Sequence, residues 1–314
     1  MILLAIPLLS AASLVFWEGE VSANISRMKN GSYNPYRDFN EWVNGLFFPK
    51  SFSDYMINQL GNSLGYYATC YLRDLVAGSM VYWLTAGTWH ILIYRVWGHE
   101  LFTSKGRPFP SGELIRSQMR LAQTSTIIYA MLPIFSEFLI ESGVTKTYFY
   151  VEEIGGWGYY ALYFILYIAL VELGIYWMHR KLHENKFLYK YVHGLHHQYN
   201  KPTTLTPWCS IAFNPMDGIL QASPYVAALF LVPMHYFTHM FLLFFSGVWA
   251  TNIHDSVFFD SEPILGAKYH TLHHTHYHYN YGQVNKRYSL SSINFVLRLV
   301  LHLLRLHLWN SSCS

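Results

Sequence analysis

The chain carries little charge for its length. Of its 314 residues, 12% are charged and 52% are hydrophobic. Soluble domains carry about 25% charged residues, so this balance indicates a membrane protein. The net charge of +3 is too small to predict binding to nucleic acid. The basic residues lie in short blocks beside apolar runs, as in loops that flank membrane helices.

Cysteine is also scarce. Cys70, Cys209 and Cys313 are odd in number and far apart, and the chain has no CxxC motif. This pattern implies neither a disulfide framework nor a thiolate metal site, and it predicts buried free thiols. The HExxH zinc-protease motif is missing too, because Arg180 follows His179 in HRKLH. Without the glutamate that serves as general base in that motif, metal-dependent hydrolysis is disfavoured.

Apolar runs predict an all-α fold of polytopic membrane helices. The three candidate spans are Leu75 to Tyr94, Leu121 to Ile140 and Trp157 to Met178. Each supplies about twenty residues, which is the length that a helix needs to cross a bilayer. Residues 1–17 are apolar and uncharged, which suits a signal peptide or a short anchor.

Basic residues predict the orientation of these helices. The loop 95–120 holds five of them, the loop 141–156 holds one, and five more lie between His179 and Lys201. The positive-inside rule then places the first loop and the segment after His179 in the cytosol. Residues 18–70 are expected in the lumen.

A further apolar run, 219–250, lies between two groups of histidines. Both groups must reach one site, so this run crosses the membrane an even number of times or only dips into it. As a helix it is about 48 Å long, too short for two crossings of roughly 30 Å each. The run therefore predicts a membrane-dipping hairpin that turns near Pro233 and Met234. His235 and His239, on its second arm, are expected to be structural.

The histidines as a whole are strongly clustered, since thirteen of the seventeen, including His235 and His239, fall between His179 and His278. HxxxH begins at His179, and HxxHH begins at His193 and again at His270. Residues three and four apart share a face of a helix, so each group can point inward. Eight clustered imidazoles are too many for one tetrahedral zinc ion, and two metal ions are the simpler interpretation. Imidazole suits zinc, copper, iron and nickel, so spacing alone does not choose the element.

Three residues near these motifs extend the predicted site. His254 directly follows the hairpin and is expected to be a ninth ligand, with Asp255 holding its ring. Glu172 lies two helical turns before His179 and is either a partner for a ligating histidine or, equally, a paired structural glutamate. The predicted metal ligands are His179, His183, His193, His196, His197, His254, His270, His273 and His274.

The order of these motifs resembles that of the membrane fatty acid hydroxylase and sterol desaturase superfamily. Within it, plant-type sterol C5(6)-desaturases acting on Δ7-sterols closely resemble the stretches VELGIYWMHRKLHENKFLYKYVHGLHHQYNKPTTLTP, AFNPMDGILQASPY, ATNIHD and YHTLHHTHYHYNYG. The resemblance covers roughly residues 70–282. It implies a fold of membrane helices with a cytosol-facing, histidine-rich di-metal domain.

The resemblance also implies an activity and its partners. The nine histidines would hold two iron ions (Fe), and the enzyme would use molecular oxygen and electrons from cytochrome b5. Its reaction would introduce the C5–C6 double bond into a sterol of the endoplasmic reticulum membrane. The basic residues Arg180, Lys181, Lys186 and Lys190 are expected to help dock the acidic donor.

The sequence thus divides into four parts: an N-terminal segment (1–70), transmembrane helices (71–178), a histidine-rich catalytic domain (179–282) and a C-terminal tail (283–314). In the family, a WxDxxFG-like segment normally follows the point reached here at Gly282, whereas this chain continues as VNKRYSLSSINFVLRLVLHLLRLHLWNSSCS. Arg298, His302 and Arg305 form a polar stripe there, as on an interfacial helix. An altered splice form or a frame-shifted gene explains the segment equally well.

Two kinds of alternative function remain open at this point. A C4-methyl sterol oxidase or a fatty acid hydroxylase of the same superfamily would share the metal site and differ in the substrate pocket. A divalent-metal transporter could also use clustered histidines. Transporters place ionisable ligands within their spans, whereas nearly all of these histidines follow the spans, which disfavours transport.

Overall fold

The chain is mostly helical over the residues that the computed structural model describes, which are 21–201, 203–255, 267–277 and 281–282. The α-helices are α1 (Val21–Lys29), α2 (Pro35–Phe47), α3 (Lys50–Leu60), α4 (Asn62–His90), α5 (Gly98–Leu101), α6 (Gly112–Tyr129), α7 (Met131–Glu141), α8 (Trp157–Glu184), α9 (Lys186–Leu188), α10 (Pro215–Ala228), α11 (Tyr236–Ile253) and α12 (Ala267–His276). The expected anchor at 1–17 and the tail 283–314 lie outside the described residues.

Short elements join these helices. Two strands, β1 (Thr147–Tyr148) and β2 (Met234–His235), pair in parallel. Turns of π-helix are formed by Ile91–Val96 and Tyr189–His193, and turns of 3-10 helix by Thr103–Lys105, Val151–Ile154, His196–Gln198 and Pro207–Cys209.

Local sequence signals explain where several helices begin. The Asn34 side chain caps α2 by accepting a hydrogen bond from the backbone N–H of Arg37, and Ser111 caps α6 in the same way. Asn214 caps α10 and precedes Pro215, a residue that suits the first position of a helix. This cap puts Asp217 into the first turn of α10, where the chain has just left the histidine segment.

Two helical stretches are long and apolar enough to cross a membrane, judged by length and composition over the described residues: Gly112–Glu141 and Trp157–Glu184. They contain the second and third predicted spans. The first predicted span, Leu75 to Tyr94, is helical as well, but it falls outside these two stretches. Its Thr, Gly, Tyr and Trp residues lower its mean hydropathy. That any of these helices crosses a bilayer stays a prediction.

Helix α8 separates two ends of the molecule. Near its start, the N-terminal segment binds the end of α7 and the loop after it. The Tyr36 hydroxyl donates to the carbonyl of Thr147, and the Asn34 side chain donates to that of Glu141. Its last two turns carry His179 and His183. Twenty-eight helical residues span about 42 Å, so the N-terminal helices and the histidines lie at opposite ends.

The apolar run after the first histidines forms the expected hairpin, with longer arms. Its arms are α10 and α11, so it extends from Pro215 to Ile253, and the turn includes Pro233 and Met234. Strand β2 pairs with β1, and the N–H of Lys146 donates to the carbonyl of Leu229. The tip thus reaches the loop after α7, at the end away from the histidines. That the hairpin dips into the membrane stays a prediction.

The main apolar core lies between α8 and this hairpin. It includes Tyr167, Val171, Leu229, Met234 and Leu242, all nearly fully buried. A close approach of α8 and α10 depends on Gly174, because a Cβ added there would lie 2.7 Å from the Cβ of Pro224. Any larger residue at this position would push the two helices apart.

Two pairs of buried residues have structural roles. His235 and His239 are fully buried, as expected for structural residues. A ring nitrogen of His239 lies 2.8 Å from the hydroxyl of Tyr167, and one of His235 lies 3.1 Å from the carbonyl of Phe149. The predicted free thiols Cys70 and Cys209 are also buried and unpaired by disulfides.

A buried ion cluster joins α4 to α7 and α2. The Arg73 guanidinium donates to Asp74 at 2.9 Å and to Glu137, and all three side chains are at most 3% exposed. It also donates to the side chain of Asn44 at 3.1 Å. Removing one partner of a buried ion pair leaves an uncompensated charge, which costs more than losing an exposed pair.

We expect Arg73→Met to lower the free energy of unfolding by roughly 3–5 kcal/mol, because two buried carboxylates would lose their only guanidinium partner among the described residues. The matched control is Arg37→Met, whose partner Glu41 is 55% exposed, and it should cost less than about 1 kcal/mol. Thermal unfolding of the detergent-solubilised protein measures both. Equal shifts for the two variants would contradict the structural role of Arg73.

Candidate metal centre

The first two histidines lie on the last turns of α8. His179 and His183 are four residues apart, so both rings project from one face of the helix. The predicted HxxxH geometry is therefore present. The chain then leaves α8 at Asn185, whose side chain caps the next short helix by accepting from the N–H groups of Phe187 and Leu188.

The two HxxHH motifs adopt different backbone conformations. The second lies on α12, as expected for helical spacing. The first lies where a π-helical turn, Tyr189–His193, gives way to the 3-10 turn His196–Gln198. Regular α-helix is thus the wrong prediction for the first motif, although its rings still point inward.

All nine predicted ligands come together in two adjoining clusters. The first cluster contains five histidines, which are His179, His183, His193, His197 and His273, and the second contains four, which are His196, His254, His270 and His274. Each HxxHH motif contributes to both clusters. The clusters touch where the rings of His197 and His274 lie 4.6 Å apart.

Converging ring nitrogens distinguish these clusters from an ordinary polar core. The Nε2 atom of His183 lies 2.9–3.2 Å from the Nε2 atoms of His193, His197 and His273. Neighbouring Nε2 atoms of the second cluster are also 2.9–3.2 Å apart. Two neutral imidazoles can share only one hydrogen, so these contacts cannot all be hydrogen bonds. A cation at the centre of each cluster would satisfy all of the nitrogens.

The nitrogen spacing also bears on which metal fits. Metal–nitrogen bonds of about 2.0–2.1 Å separate ligands at right angles by about 3.0 Å and ligands at tetrahedral angles by about 3.4 Å. The observed spacing matches right angles. Within each cluster the ligand atoms lie no more than 4.8 Å apart, which leaves room for opposite ligands. The residues therefore fit metals of octahedral type better than tetrahedral zinc.

Burial keeps the imidazoles of the second cluster in the neutral, metal-binding form. Desolvation lowers the pKa of His254 to about 4 and, together with neighbouring histidines, lowers the pKa of His196, His270 and His274 well below the usual value. These rings thus have a free lone pair near neutral pH, as metal binding requires.

Hydrogen bonds to the second ring nitrogen orient several of these histidines. His193 Nδ1 lies 2.8 Å from a carboxylate oxygen of Asp217, and both residues are fully buried. His179 Nδ1 lies 3.0 Å from the carbonyl of Tyr281, and His254 Nδ1 lies 2.7 Å from that of Ala250. Partners of this kind fix the ring and leave Nε2 facing the metal position.

Two expectations about these partners concern the acids Glu172 and Asp255. The Nδ1 atom of His179, the predicted ligand nearest to Glu172 in the sequence, contacts a backbone carbonyl, and a role for Glu172 beside another histidine stays a prediction. The expected partner of His254 is Asp255, but the carbonyl one turn back on α11 binds its Nδ1. In both rings folding brings a backbone acceptor to Nδ1.

Aromatic rings cover the outer side of the first cluster. The ring of Tyr281 lies 5.2–5.6 Å from those of His179, His183 and His273. Tyr277 lies 5.0 Å from His197 and adopts a positive φ of 64°, which is uncommon for a residue with a side chain. These rings shield part of the first cluster from water, while His183 stays partly exposed.

A cavity of about 240 Å³ reaches both clusters from among the helices. Its wall includes His179 of the first cluster and His196, His254 and His270 of the second. The rest of the wall comes mainly from apolar side chains of α4, α6, α7, α10 and α11. Cavities of this kind, with few polar groups, bind small apolar ligands.

Sequence reasoning missed the roles of Asp217, Gln221 and Tyr281. Asp217 and Gln221 lie four residues apart on α10, and the Gln221 amide donates to Asp217 at 2.8 Å. Both occur within NPMDGILQ, a stretch that the sequence marks only as part of a resemblance. The sequence does contain one signal for Asp217: it is an acid in the first turn of a capped helix that begins soon after the histidines.

Comparison with known proteins gives the same family. The model of the family described as Fatty acid hydroxylase matches residues 164–288. The Delta(7)-sterol-C5(6)-desaturase of Nicotiana tabacum is 40% identical over 244 residues, which are 78% of this chain and 86% of that protein. The Delta(7)-sterol 5(6)-desaturase of Leptosphaeria maculans is 34% identical over 68% of this chain and 58% of that protein.

A mammalian relative extends the match. The lathosterol oxidase of Rattus norvegicus is 34% identical over 199 residues, which are 60% of this chain and 63% of that protein. No solved structure matches this chain. The predicted resemblance is confirmed, and with it the expectation of an iron-dependent oxidoreductase. The chain belongs to the fatty acid hydroxylase and sterol desaturase superfamily, within its family of Δ7-sterol C5(6)-desaturases.

Proposed function

We propose that this protein introduces the C5–C6 double bond into a Δ7-sterol. The observation that supports the proposal most directly is the cavity, which brings an apolar ligand against histidines of both clusters. The relatives are named for the same reaction. In the balanced reaction, the sterol loses one hydrogen from C5 and one from C6. Molecular oxygen, two electrons and two protons join these hydrogens to give two molecules of water.

The nine histidines would hold two iron ions, which would supply the oxygen chemistry that removes these hydrogens. The protein contributes the surroundings. Its histidines fix the ligand geometry, its aromatic rings and apolar wall exclude water, and its cavity aligns the B ring of the sterol. One hydrogen is easier to remove than most, because C6 is next to the C7–C8 double bond.

A sister activity is the main alternative. A C4-methyl sterol oxidase or a fatty acid hydroxylase would use a similar site on another substrate. The relatives described above are named for C5(6) desaturation or lathosterol oxidation, and they favour the sterol B ring. The transporter alternative is set aside, because the family is one of oxidoreductases.

The reaction can be tested in a sterol-producing host that lacks its own C5(6)-desaturase. We expect the chain to produce 5,7-diene sterols, and His196→Ala to abolish them, because losing one ligand should disrupt the iron site. His276→Ala is the matched control, since His276 is exposed and lies outside both clusters. A chimaeric protein, in which a relative's C-terminus replaces residues 283–314, should be expressed in parallel.

Each outcome of this test has a distinct meaning. Product from the chimaera alone would show that the tail disables this chain. Absence of 5,7-dienes from both proteins, when they are folded and loaded with iron, would contradict C5(6) desaturation and favour a sister activity. Full activity of His196→Ala would contradict the ligand assignment.

Asp217 can be tested separately through metal retention. We expect Asp217→Asn to weaken iron binding by about 10- to 100-fold, because the carboxylate both orients His193 and raises its basicity. Asp54→Asn, at an exposed position of α3, is the matched control. The measurement is the rate at which a chelator removes iron from the purified protein. Identical rates for Asp217→Asn and the unmodified protein would show that Asp217 has no role in holding the metal.

We further propose that the metal centre lies on the cytosolic side of the endoplasmic reticulum membrane and receives electrons from cytochrome b5. Lys186 and Lys190 are exposed and lie in the sequence beside the exposed rings of Phe187 and Tyr191. Arg180 and Lys181 both pair with Glu184. Positive charge beside a redox site raises the rate of encounter with an acidic donor.

Sealed microsomes test the orientation and the docking together. A soluble donor domain added outside should support turnover only if the site faces the cytosol. Lys186→Glu with Lys190→Glu should then slow turnover several-fold at limiting donor and low salt, with a smaller effect at high salt. Lys50→Glu, at the opposite end, should change nothing. Turnover that does not require donor at the outer face of the microsomes would contradict the orientation. An unchanged turnover rate in the double variant would contradict docking at Lys186 and Lys190.

A further inference from the structure

Gln221 occupies a position between the cavity and the first histidine cluster. Its carboxamide N–H donates to one oxygen of Asp217 at 2.8 Å, while the other oxygen of Asp217 lies 2.8 Å from His193 Nδ1. Gln221 also lines the cavity, together with Gly218, Ala222 and Tyr225 of the same helix. A single chain of hydrogen bonds therefore leads from the cavity wall to a metal-binding ring.

The chemistry of Asp217 fixes which way this carboxamide points. A carboxylate can only accept hydrogen bonds, so the NH2 group of Gln221 must face it. Its carbonyl oxygen, with two lone pairs, is then directed away from Asp217. Because Asp217 is fully buried and Gln221 is only partly so, the carbonyl is the polar atom that remains for a ligand.

Several other hydroxyls on the cavity wall already take part in hydrogen bonds within the protein, and that of Ser210 accepts one from Thr251. The hydroxyls of Tyr82, Thr126, Tyr129 and Ser246 donate to backbone carbonyls. Asp74 also lines the cavity, but it lies eight residues before Tyr82, which is about 12 Å along α4. Tyr82 itself contacts Trp208, next to Cys209, whose thiol lies 3.8 Å from the carbonyl of His254. Asp74 thus lies at the far end of the cavity from the clusters.

We propose that the Gln221 carbonyl accepts the hydrogen bond of the substrate hydroxyl. This inference rests on the proposed sterol substrate and names the residue that recognises it. A sterol carries its hydroxyl on C3, two carbons from C5, so its acceptor must lie close to the metal centre. Gln221 meets this requirement and Asp74 does not. Recognition of the hydroxyl and orientation of His193 are then parts of one hydrogen-bonded chain.

The test compares two ligands that differ only in the hydroxyl. Binding of a Δ7-sterol and of its 3-deoxy analogue is measured on iron-loaded protein by displacement of a fluorescent sterol. The unmodified protein should prefer the hydroxylated ligand by about tenfold, since one good hydrogen bond is worth roughly that factor. Gln221→Met, which keeps the length and apolar volume of the side chain, should reduce the preference to less than about twofold.

Controls separate this role from a general effect on the fold. Gln123→Met makes the same chemical change outside the cavity, where Gln123 binds Trp83 and Ser79, and it should leave the preference unchanged. Ser246→Ala removes a polar group from the cavity wall itself and should also leave it unchanged. The iron content of every variant is also measured, because it shows whether the metal is still bound when the hydrogen bonds from Gln221 through Asp217 to His193 are altered.

Several results would overturn the inference. A preference that persists in Gln221→Met would assign the hydroxyl to another residue. Absence of any preference in the unmodified protein would show that the hydroxyl is not recognised, and this result does not depend on a variant that folds. Failure of the proposed function is recognised separately, because it appears as a lack of 5,7-diene product from the chimaera with a relative's C-terminus.

Discussion

The structure depends most on the need to satisfy the ring nitrogens of nine clustered imidazoles, eight of them buried and that of His183 partly buried. Their Nε2 atoms converge in two groups at 2.9–3.2 Å, closer than uncompensated lone pairs would stay. Burial keeps rings such as His254 neutral, so protons cannot relieve the contacts. Metal ions would do so, and they would thereby tie α12 to α8 and to the end of the hairpin. The metal centre would therefore also hold together the helices at this end of the molecule.

Helix geometry explains how three short motifs build two sites. Along a helix, position i+4 lies about 40° to one side of position i, and position i+3 lies about 60° to the other side. In the second HxxHH motif, His270 and His274 accordingly enter one cluster while His273 enters the other. The first motif divides its histidines between the clusters too, even though its backbone is not regular α-helix. The spacing of the histidines therefore determines which cluster each one enters more than the type of helix does.

The sequence is informative where the signal is local. Helical spacing and clustering are enough to predict eight converging histidines and two candidate metal positions. The length of the apolar run predicts the hairpin near Pro233, and the end of that run predicts His254 as the ninth ligand. The sequence is less informative where partners come from distant segments. Nothing adjacent to His179 indicates that the carbonyl of Tyr281 binds it, since that contact exists only after folding. Backbone carbonyls leave no trace in composition, which is why spacing points to the acids Glu172 and Asp255 instead.

Polar groups at both ends of the cavity suggest how one ligand could be aligned. The histidines and Gln221 lie at one end, and Asp74, held by Arg73, lies at the other, with mostly apolar residues between them. A long, flat, apolar molecule with a single hydroxyl would gain a hydrogen bond at only one of these ends. Because the end with Gln221 is also the end with the metal ligands, binding the hydroxyl there would bring the neighbouring ring carbons to the reactive centre. Recognition and regiochemistry would then follow from the same contact.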